Sequence, residues 1–360
     1  MQIIDILNIP PYSLSKAEKQ KALNSILNEL SRHHYTNCKP FAKMMDGIGY
    51  NANKKYKYSD LPYLPVRLFK MLDLLSVDQK QVVKTMTSSG TSGQAVSRIY
   101  LDRNTASNQT KVLTKIVSSY IGQKRVPMII LDNEAVVKNR KLFSARGAGI
   151  LGFSMFGSKR IYALDENMKL KTEEIIDFIE KHKDERIFMF GFTFIIWQHF
   201  YKQLLEKGIK LDLSNALLIH GGGWKKLVSE SISSHNFRER LNELCGIKNI
   251  HDYYGMVEQT GSIYMECEEG HLHAPVFSDI LIRRSSDFSV AEVGEKGIIQ
   301  VLSILAHSYP GHSLLTEDEG ILIGEDDCKC GRKGKYFKIV GRLKNAEIRG
   351  CSDTYAQKFN

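Results

Sequence analysis

The sequence predicts an α/β protein, with a mainly parallel sheet followed by a smaller β-rich region. Before about Cys267, short apolar runs alternate with helical patterns, which is typical of βαβ units. After it, strand-like runs such as "SDILIRR" and "KGIIQVLSIL" are separated by glycines and charged turns. With 360 residues, the chain is long enough for two domains or for one subdivided domain.

The N-terminal region is predicted to contain a helix and then an extended connector. Ser15 and Glu18 have capping-box spacing. The helix is expected to run to about His33, because apolar residues recur at helical spacing: Leu23, Ile26, Leu27 and Leu30. The segment "DLPYLPVRLFK", residues 60–70, has two prolines and reads as extended chain.

The central region supplies the predicted parallel strands. The apolar runs are "VPMIIL" (126–131), "RIFMF" (186–190) and "ALLIH" (216–220). A helix is predicted over residues 167–183. The longest apolar stretch, residues 187–197, is too short for a membrane span of about 20 residues and predicts a buried strand leading into a helix.

Composition indicates a globular protein of the cytoplasm. Hydrophobic residues make up 42% and charged residues 25%. We expect no secretory signal and no transmembrane segment. Six cysteines are too few for a disulfide framework. The net charge of +10 is spread along the chain. It fits either a solvated basic surface or a surface that attracts phosphates or anionic membranes. Because the sequence contains no recognisable nucleic-acid module, no nucleic-acid partner is expected.

Residues 87–93 are only Thr, Ser and Gly, and they lie between two strand-like segments. Gly90 and Gly93 allow backbone amides to approach a ligand closely. Hydroxyl donors come from Ser88, Ser89, Thr91 and Ser92. Such a loop can surround phosphate oxygens, although a simple turn is the alternative. It is not a Walker A loop, because no Gly-Lys-Ser/Thr follows.

Further motifs change the interpretation of this loop. They are "HGGGWKK" with Gly221, Gly222 and Gly223; "YYGMVE" with Tyr253, Tyr254, Gly255 and Glu258; "TEDEG" with Glu317 and Asp318; and "VGRLKN" with Arg342. In this order the set resembles the acyl-adenylate-forming superfamily of acyl-CoA synthetases, adenylation domains and luciferases. Longer motifs, including "SARGAGILGFSMFG" and "GRLKNAEIRGCS", resemble the LuxE-type long-chain fatty-acid–protein ligases from about residue 30 onward.

The resemblance implies the large N-terminal domain of the adenylate-forming, acyl-CoA synthetase-like fold, and a role for each motif. Residues 88–93 would hold the ATP phosphates, with Thr91 among the catalytic residues. Residues 221–223 and 253–255 would flank the adenine. Glu258 would coordinate Mg²⁺, Asp318 would accept from the ribose hydroxyls, and Arg342 would contact the same sugar. The alternatives are that the tyrosines pack in the core, that Glu258 caps a helix and that Asp318 lies in a turn.

Two positions depart from the superfamily pattern. The usual loop lysine is replaced by Val96, and Arg98 either supplies the missing charge or lies on the strand surface. The sequence ends nineteen residues after Gly341, so we expect the C-terminal lid domain to be reduced to a short tail. Adenylation would then proceed without the lysine of that domain, or Lys344 or a partner would substitute for it.

The tail contains Cys351, preceded by Arg349 and Gly350. In the ligases that the chain resembles, a cysteine near the C-terminus receives the acyl group as a thioester. A nearby cation favours the reactive thiolate. The alternative is a free surface thiol.

A second cysteine group indicates a metal site. Cys267 and His273 lie in "CEEGHLH", and Cys328 and Cys330 lie in "CKCGR". Together they could close a tetrahedral Zn²⁺ site of Cys₃His type, with His271 as an alternative ligand. Some phenylacetate-ligase-like proteins have a similar arrangement. The alternative is unpaired thiols and surface histidines.

We therefore predict an ATP- and Mg²⁺-dependent ligase that activates a fatty or other carboxylic acid and passes the acyl group through Cys351 to a protein partner, such as an acyl-group reductase or carrier protein. One alternative is transfer to coenzyme A or a carrier protein, and another is a non-catalytic nucleotide-binding scaffold.

The predicted segments are 1–80 (helical and extended), 81–266 (α/β core with the nucleotide loop), 267–340 (β-rich) and 341–360 (hinge remnant and acceptor tail).

Overall fold

The structure is a computed structural model that describes residues 3–88, 96–138, 145–224 and 232–343. The helices are α1 (Ile3–Ile6), α2 (Lys16–Asn37), α3 (Lys39–Gly47), α4 (Leu68–Met71), α5 (Arg103–Ile121), α6 (Ala135–Lys138), α7 (Ala145–Ser154), α8 (Thr172–Lys181), α9 (Thr193–Ile195), α10 (Lys202–Glu206) and α11 (Ser234–Cys245). The strands are β1 (Leu64–Pro65), β2 (Val82–Thr87), β3 (Arg98–Asp102), β4 (Val126–Asn133), β5 (Gly157–Leu164), β6 (Ile187–Phe192), β7 (Ala216–Gly221), β8 (Asn249–Tyr254), β9 (Tyr264–Glu266), β10 (Leu272–His273), β11 (Ser278–Arg283), β12 (Lys296–Ser303), β13 (Ser313–Glu325) and β14 (Lys335–Arg342).

The chain divides into two compact units. Of the described residues, the first contains 3–88, 96–119 and 254–343, and the second contains 120–138, 145–224 and 232–253. The division into segments 1–80, 81–266, 267–340 and 341–360 that the sequence predicts stays a prediction. No helix in the described ranges has the length and apolar character needed to cross a bilayer.

The first unit is built on an antiparallel sheet, and its strands after Cys267 confirm the β-rich region that the sequence predicts there. Its strands follow the order β11-β12-β13-β14-β10-β9, and β1 pairs with β13 in parallel. The β13–β14 pairing sets Asp318 opposite Arg342, and the β10–β14 pairing sets His273 opposite Tyr336. These registers bring together residues that are far apart in the sequence.

Helix α2 begins as predicted. Ser15 is the N-cap, and a complete capping box forms with Glu18. The helix ends at Asn37 rather than near His33. The extra turn is stabilised because buried His34 contacts the Ala306 carbonyl (3.0 Å) and the Ser76 hydroxyl (2.8 Å). Tertiary contacts therefore extend the helix beyond its apolar pattern.

The predicted extended connector is only partly correct. It contains the short strand β1, but also the helical turn α4. No proline follows Pro65 in this segment, so its backbone can become helical. The Val66 amide donates to the Leu315 carbonyl at 2.9 Å. The turn of α4 then buries Phe69.

The second unit contains a parallel sheet in the order β8-β7-β6-β4-β5, which confirms the predicted strands at 126–131, 186–190 and 216–220. Strand β6 leads into α9 as expected. The carboxyl ends of β7 and β8 meet where Gly221 lies opposite Tyr253. Open parallel sheets bind ligands at this end of their strands.

The helix predicted over residues 167–183 is shorter than expected, since α8 begins at Thr172. The carboxylate of Asp165 accepts from the amides of Asn167 and Lys169, both at 2.8 Å, and so makes a turn. Met168 has φ of 60° in this turn. Local side-chain bonding to the backbone thus competes with the helix.

Strands β2 and β3 flank the hydroxyl-rich segment, as predicted, and pair with each other in antiparallel. At the base of that segment, the Ser97 amide donates to the Ser88 hydroxyl (2.9 Å) and the Ser88 amide donates to the Ser97 carbonyl (3.2 Å). These bonds continue the pairing of β2 and β3 up to Ser88.

Candidate active site

Asp318 lies at the centre of a polar cluster in the first unit. The hydroxyl of Tyr254 donates to its Oδ2 at 2.8 Å. Nε of Arg342 lies 3.2 Å from its Oδ1. The Asp318 amide donates to Oγ1 of Thr316 at 3.1 Å, and this bond fixes the backbone that carries the carboxylate. The structure therefore groups three residues for which the sequence predicts contact with a nucleotide.

Tyr254 acts as a hydrogen-bond donor in this cluster. Burial, and then the charge of Asp318, raise the pKa of the Tyr254 phenol well above its ordinary value. The phenol therefore keeps its proton at physiological pH. Tyr254 therefore does more than pack in the core, because its hydroxyl orients the Asp318 carboxylate.

A second carboxylate next to Asp318 was not assigned a role from the sequence. Glu317 accepts from Arg342 at 3.1 Å and from Nε of Arg67 at 3.0 Å. Arg67 belongs to "LPYLPVRLFK", a motif noted in the sequence without a function for the arginine. The alternation of a strand places Glu317 and Asp318 on opposite faces, yet Arg342 contacts both.

Glu258 is buried, and its backbone is tightly held. It lies in the 3₁₀ turn Val257–Gln259. Its carbonyl accepts from the Tyr309 hydroxyl at 2.9 Å, and Nε2 of neighbouring Gln259 donates to Gly311 at 2.8 Å. A fixed backbone limits the positions open to the Glu258 carboxylate, as a metal-binding or catalytic carboxylate requires.

Arg98 lies on the strand surface beside a carboxylate. Its Nε lies 2.9 Å from Asp73, and its side chain is 49% exposed. Of the two interpretations left open by the sequence, the structure fits the strand-surface position. Exposed ion pairs of this kind contribute little to stability.

In the second unit, the glycine motif at the end of β7 provides space for an aromatic ring. A Cβ atom on Gly221 would lie 2.8 Å from Cδ1 and Cζ of Tyr253, closer than atoms can pack. Gly222 has φ of +77°, which disfavours any other residue. Gly223 follows and is exposed. The ring of Tyr253 therefore packs directly against Gly221, at the carboxyl end of the sheet.

Tyr253 also packs against core aromatics of the second unit. Its ring centroid lies 5.2 Å from that of Phe153 and 6.4 Å from that of Phe190. Both interpretations of Tyr253, packing and ligand contact, therefore fit the structure. Gly255 is exposed and begins the segment that leads to Glu258.

Several predicted site residues lie outside the described ranges. They are Ser89, Gly90, Thr91, Ser92, Gly93 and Cys351, together with Lys344 and Arg349. Their roles stay predictions.

The four predicted zinc ligands come together in the first unit. The thiol sulfurs of Cys267, Cys328 and Cys330 and a ring nitrogen of His273 all lie within 4.8 Å of one another. Cys267 and Cys328 are separated by 3.9 Å (Sγ to Sγ), and Cys330 Sγ lies 3.4 Å from His273 Nε2. His271 is outside this group of four, although its Nδ1 lies 3.6 Å from Cys328.

The arrangement fits a tetrahedral thiolate-rich metal centre. With Zn–S bonds of about 2.3 Å and Zn–N bonds of about 2.1 Å, neighbouring ligand atoms are separated by roughly 3.5–3.8 Å. Cys267 follows β9, His273 ends β10, and the other two cysteines lie in the turn between β13 and β14. His273 is also held by stacking on Tyr336, at a ring-centroid distance of 5.5 Å.

The comparisons with known proteins decide the family. The sequence model described as "Acyl-protein synthetase, LuxE" matches residues 2–360. The chain belongs to the LuxE family of acyl-protein synthetases. Family membership confirms the resemblance carried by the sequence motifs and identifies the chain as a ligase.

Curated relatives of this LuxE family member are named long-chain-fatty-acid–luciferin-component ligases. The one from Vibrio harveyi is 24% identical over 97% of this chain and 91% of its own length. The one from Aliivibrio fischeri is 22% identical over 95% of this chain and 90% of its own length.

Solved structures confirm the predicted adenylate-forming fold. The structure of an open conformation of 2-hydroxyisobutyryl-CoA ligase, in complex with 2-HIB-AMP and CoA, has a TM-score of 0.71 at 12% identity, covering 93% of this chain and 72% of that chain. The same ligase in the thioesterification state also gives a TM-score of 0.71, at 13% identity.

Proposed function

We propose that this LuxE family member condenses a long-chain fatty acid with ATP to an acyl-adenylate and pyrophosphate, and then transfers the acyl group to Cys351 and onward to a partner protein. The names of the curated relatives support the choice of substrate. The observation that carries the proposal is the cluster of Tyr254, Asp318 and Arg342, which would hold the nucleotide sugar.

In the first step, a carboxylate oxygen attacks the α-phosphate of ATP, and the bond to pyrophosphate breaks. Two anions must approach each other, so the site has to offset their charge. Residues 88–93 would supply backbone amides and hydroxyls to the phosphates. Glu258 would bind Mg²⁺, which supplies charge neutralisation at the phosphate oxygens when bound.

The nucleotide would be oriented by residues from several motifs. The acceptor atoms of Asp318 suit ribose hydroxyls, because a carboxylate can accept two hydrogen bonds from a diol. Tyr254 and Arg342 would keep that carboxylate in position. Residues 221–223, with Tyr253 and Gly255, would flank the adenine, and the exposed backbone of Gly222 and Gly223 suits a close approach.

In the second step, the Cys351 thiolate attacks the acyl carbonyl of the adenylate, a thioester forms, and AMP leaves. Arg349 would favour the thiolate over the thiol. A nucleophile on the partner protein would then attack the thioester and return the thiol to Cys351. An acyl-group reductase or a carrier protein could fill this role.

We also propose that Cys267, His273, Cys328 and Cys330 hold a structural Zn²⁺. The ion would supply a cross-link between the β9–β10 region and the β13–β14 turn. These four residues would bind it through three sulfurs and one ring nitrogen. With all four positions filled by protein atoms, the site would stabilise the fold rather than take part in the reaction.

The catalytic proposal is tested on the full chain with ATP, Mg²⁺ and a panel of fatty acids. Acid-dependent exchange of labelled pyrophosphate into ATP reports the first step. Intact-protein mass spectrometry reports the second, and Ser352→Ala serves as the control for Cys351→Ala. We expect Cys351→Ala to retain exchange and to lose the covalent acyl group. Equal acylation of both variants would remove Cys351 from the pathway.

The same assays separate the alternatives. Release of acyl-CoA in the presence of coenzyme A, with Cys351→Ala fully active, would favour a CoA ligase. Absence of exchange with every acid tested would favour a nucleotide-binding scaffold and overturn the proposal.

The zinc proposal is tested by elemental analysis of protein purified without chelators. We expect about one zinc per chain, lost in Cys328→Ser and retained in Cys245→Ala, which alters a buried thiol outside the group. Wild-type protein without stoichiometric zinc would contradict it.

A further inference from the structure

A cleft in the first unit is lined by none of the residues assigned to the nucleotide. Helix α2 and the segment 55–57 line an open cleft of about 460 Å³. This volume is within the range of small-molecule sites, roughly 300–1,000 Å³. The cleft is lined in part by Arg32, Lys55, Tyr56 and Lys57, and shares no residue with the cluster around Asp318.

The walls of the cleft are held in place by an asparagine. Nδ2 of Asn28 donates to the carbonyls of Asn24 (2.7 Å) and Tyr56 (2.8 Å), and its Oδ1 accepts from the Tyr56 amide (2.9 Å). The ring of Tyr56 stacks on Tyr50 with 5.4 Å between centroids. Because Asn28 is buried, these bonds fix the segment against α2 and keep the cleft open.

The charge of the cleft is strongly positive. Arg32, Lys55 and Lys57 face a single carboxylate among the lining residues, Glu29. Within the described ranges, no carboxylate makes an ion pair with any of the three cations. Concave surfaces lined by one sign of charge concentrate ions of the opposite sign.

We propose that this cleft binds a compact polyanion carrying phosphate groups. The planar guanidinium of Arg32 would contact two phosphate oxygens at once, and Lys55 and Lys57 would contribute point charges. Free pyrophosphate and the diphosphate of a nucleotide share this chemistry. The inference is independent of the proposed function, since it uses none of the residues given roles there.

The test uses the full chain at a fixed 0.15 M salt, with inorganic pyrophosphate and ADP as probes. Hydrogen exchange of peptides covering residues 50–58 reports this cleft separately from the predicted ATP site. The cleft variant carries Arg32→Gln, Lys55→Gln and Lys57→Gln. The matched control carries Lys39→Gln, Lys43→Gln and Lys80→Gln, three exposed lysines outside the cleft with the same change in net charge.

We expect pyrophosphate to slow exchange in residues 50–58 of the wild type and the control, with a midpoint concentration at least about tenfold higher in the cleft variant. Stronger protection by ADP than by pyrophosphate would identify a nucleotide, and the reverse would identify free pyrophosphate. Unchanged exchange at saturating concentrations of both probes, or equal midpoints in the two variants, would overturn the proposal. Acid-dependent pyrophosphate exchange into ATP should be unaltered in the cleft variant, which separates this result from the fate of the proposed function.

Discussion

The hydroxyl of Tyr254 lies 2.8 Å from the Asp318 carboxylate, across 64 positions of sequence. Two motifs that the sequence presents as separate, "YYGMVE" and "TEDEG", therefore form one polar cluster. The bond holds the carboxylate on one side while Arg342 holds it on the other.

Removal of that hydroxyl tests the role of the cluster. In Tyr254→Phe, Asp318 loses a charge-assisted hydrogen bond, and such bonds contribute about 1.5–3 kcal/mol. We expect the KM for ATP to rise about tenfold, with kcat little changed, in the pyrophosphate-exchange assay. The matched control is Tyr35→Phe, which removes a tyrosine–aspartate bond of 2.6 Å to Asp46. An unchanged KM in Tyr254→Phe would show that the cluster does not position ATP.

Gly221→Ala tests the need for open space at the end of β7. The added Cβ would collide with the Tyr253 ring, and overpacking of this kind costs about 1–3 kcal/mol. We expect a lower thermal midpoint and weaker ATP binding. Gly47→Ala is the control, because a Cβ at Gly47 meets nothing within 4 Å. Wild-type stability and ATP affinity in Gly221→Ala would contradict the close approach of Tyr253.

A buried ionic cluster gives a prediction about folding. Asp279 lies between Lys19 (3.2 Å) and Lys335 (2.9 Å), and all three are nearly inaccessible to solvent. Asp279→Asn leaves two ammonium groups without a counter-ion, so we expect a loss of about 3–5 kcal/mol in the free energy of unfolding. Lys19→Met should cost less, because the Asp279–Lys335 pair remains neutral. Denaturant unfolding measures both, and the reverse order would refute this account.

Histidine burial predicts sensitivity to acid. Burial, followed by the charge of His33, lowers the pKa of His312 to about 3, against about 6.5 for an unfolded histidine. The unfolded chain therefore binds a proton that the folded chain excludes. This contribution to stability is present above pH 6.5 and falls progressively between pH 6.5 and pH 3.

The expected change is measured by denaturant unfolding at pH 7.5 and pH 5.5. His312 should account for about 1.4 kcal/mol of the lost stability at the lower pH, so His312→Gln should reduce the loss by that amount. His235→Gln, at a histidine that is 78% exposed, should leave it unchanged. An equal loss in wild type and His312→Gln would contradict the prediction.

The Cys/His group of Cys267, His273, Cys328 and Cys330 was predicted from the sequence in its members but not in its choice of histidine. Thiols and imidazoles are rare enough that four candidate metal ligands could be named from the sequence, and the structure brings their ligand atoms within 4.8 Å of one another. Sequence spacing could not choose between His271 and His273. The choice depends on the β10–β14 register, which pairs His273 with Tyr336.

The amino-acid sequence by itself determined the parallel strands, the capping box at Ser15, the family motifs and the four members of the Cys/His group. Local periodicity, capping chemistry and distinctive residue types carry these features. The tertiary structure alone decided the end of α2, the partners of Asp318 and Glu317, the position of Tyr253 over Gly221 and the cation-lined cleft. Each of these depends on which distant segments pair, and pairing is fixed by the packing of the whole chain rather than by any short stretch of it.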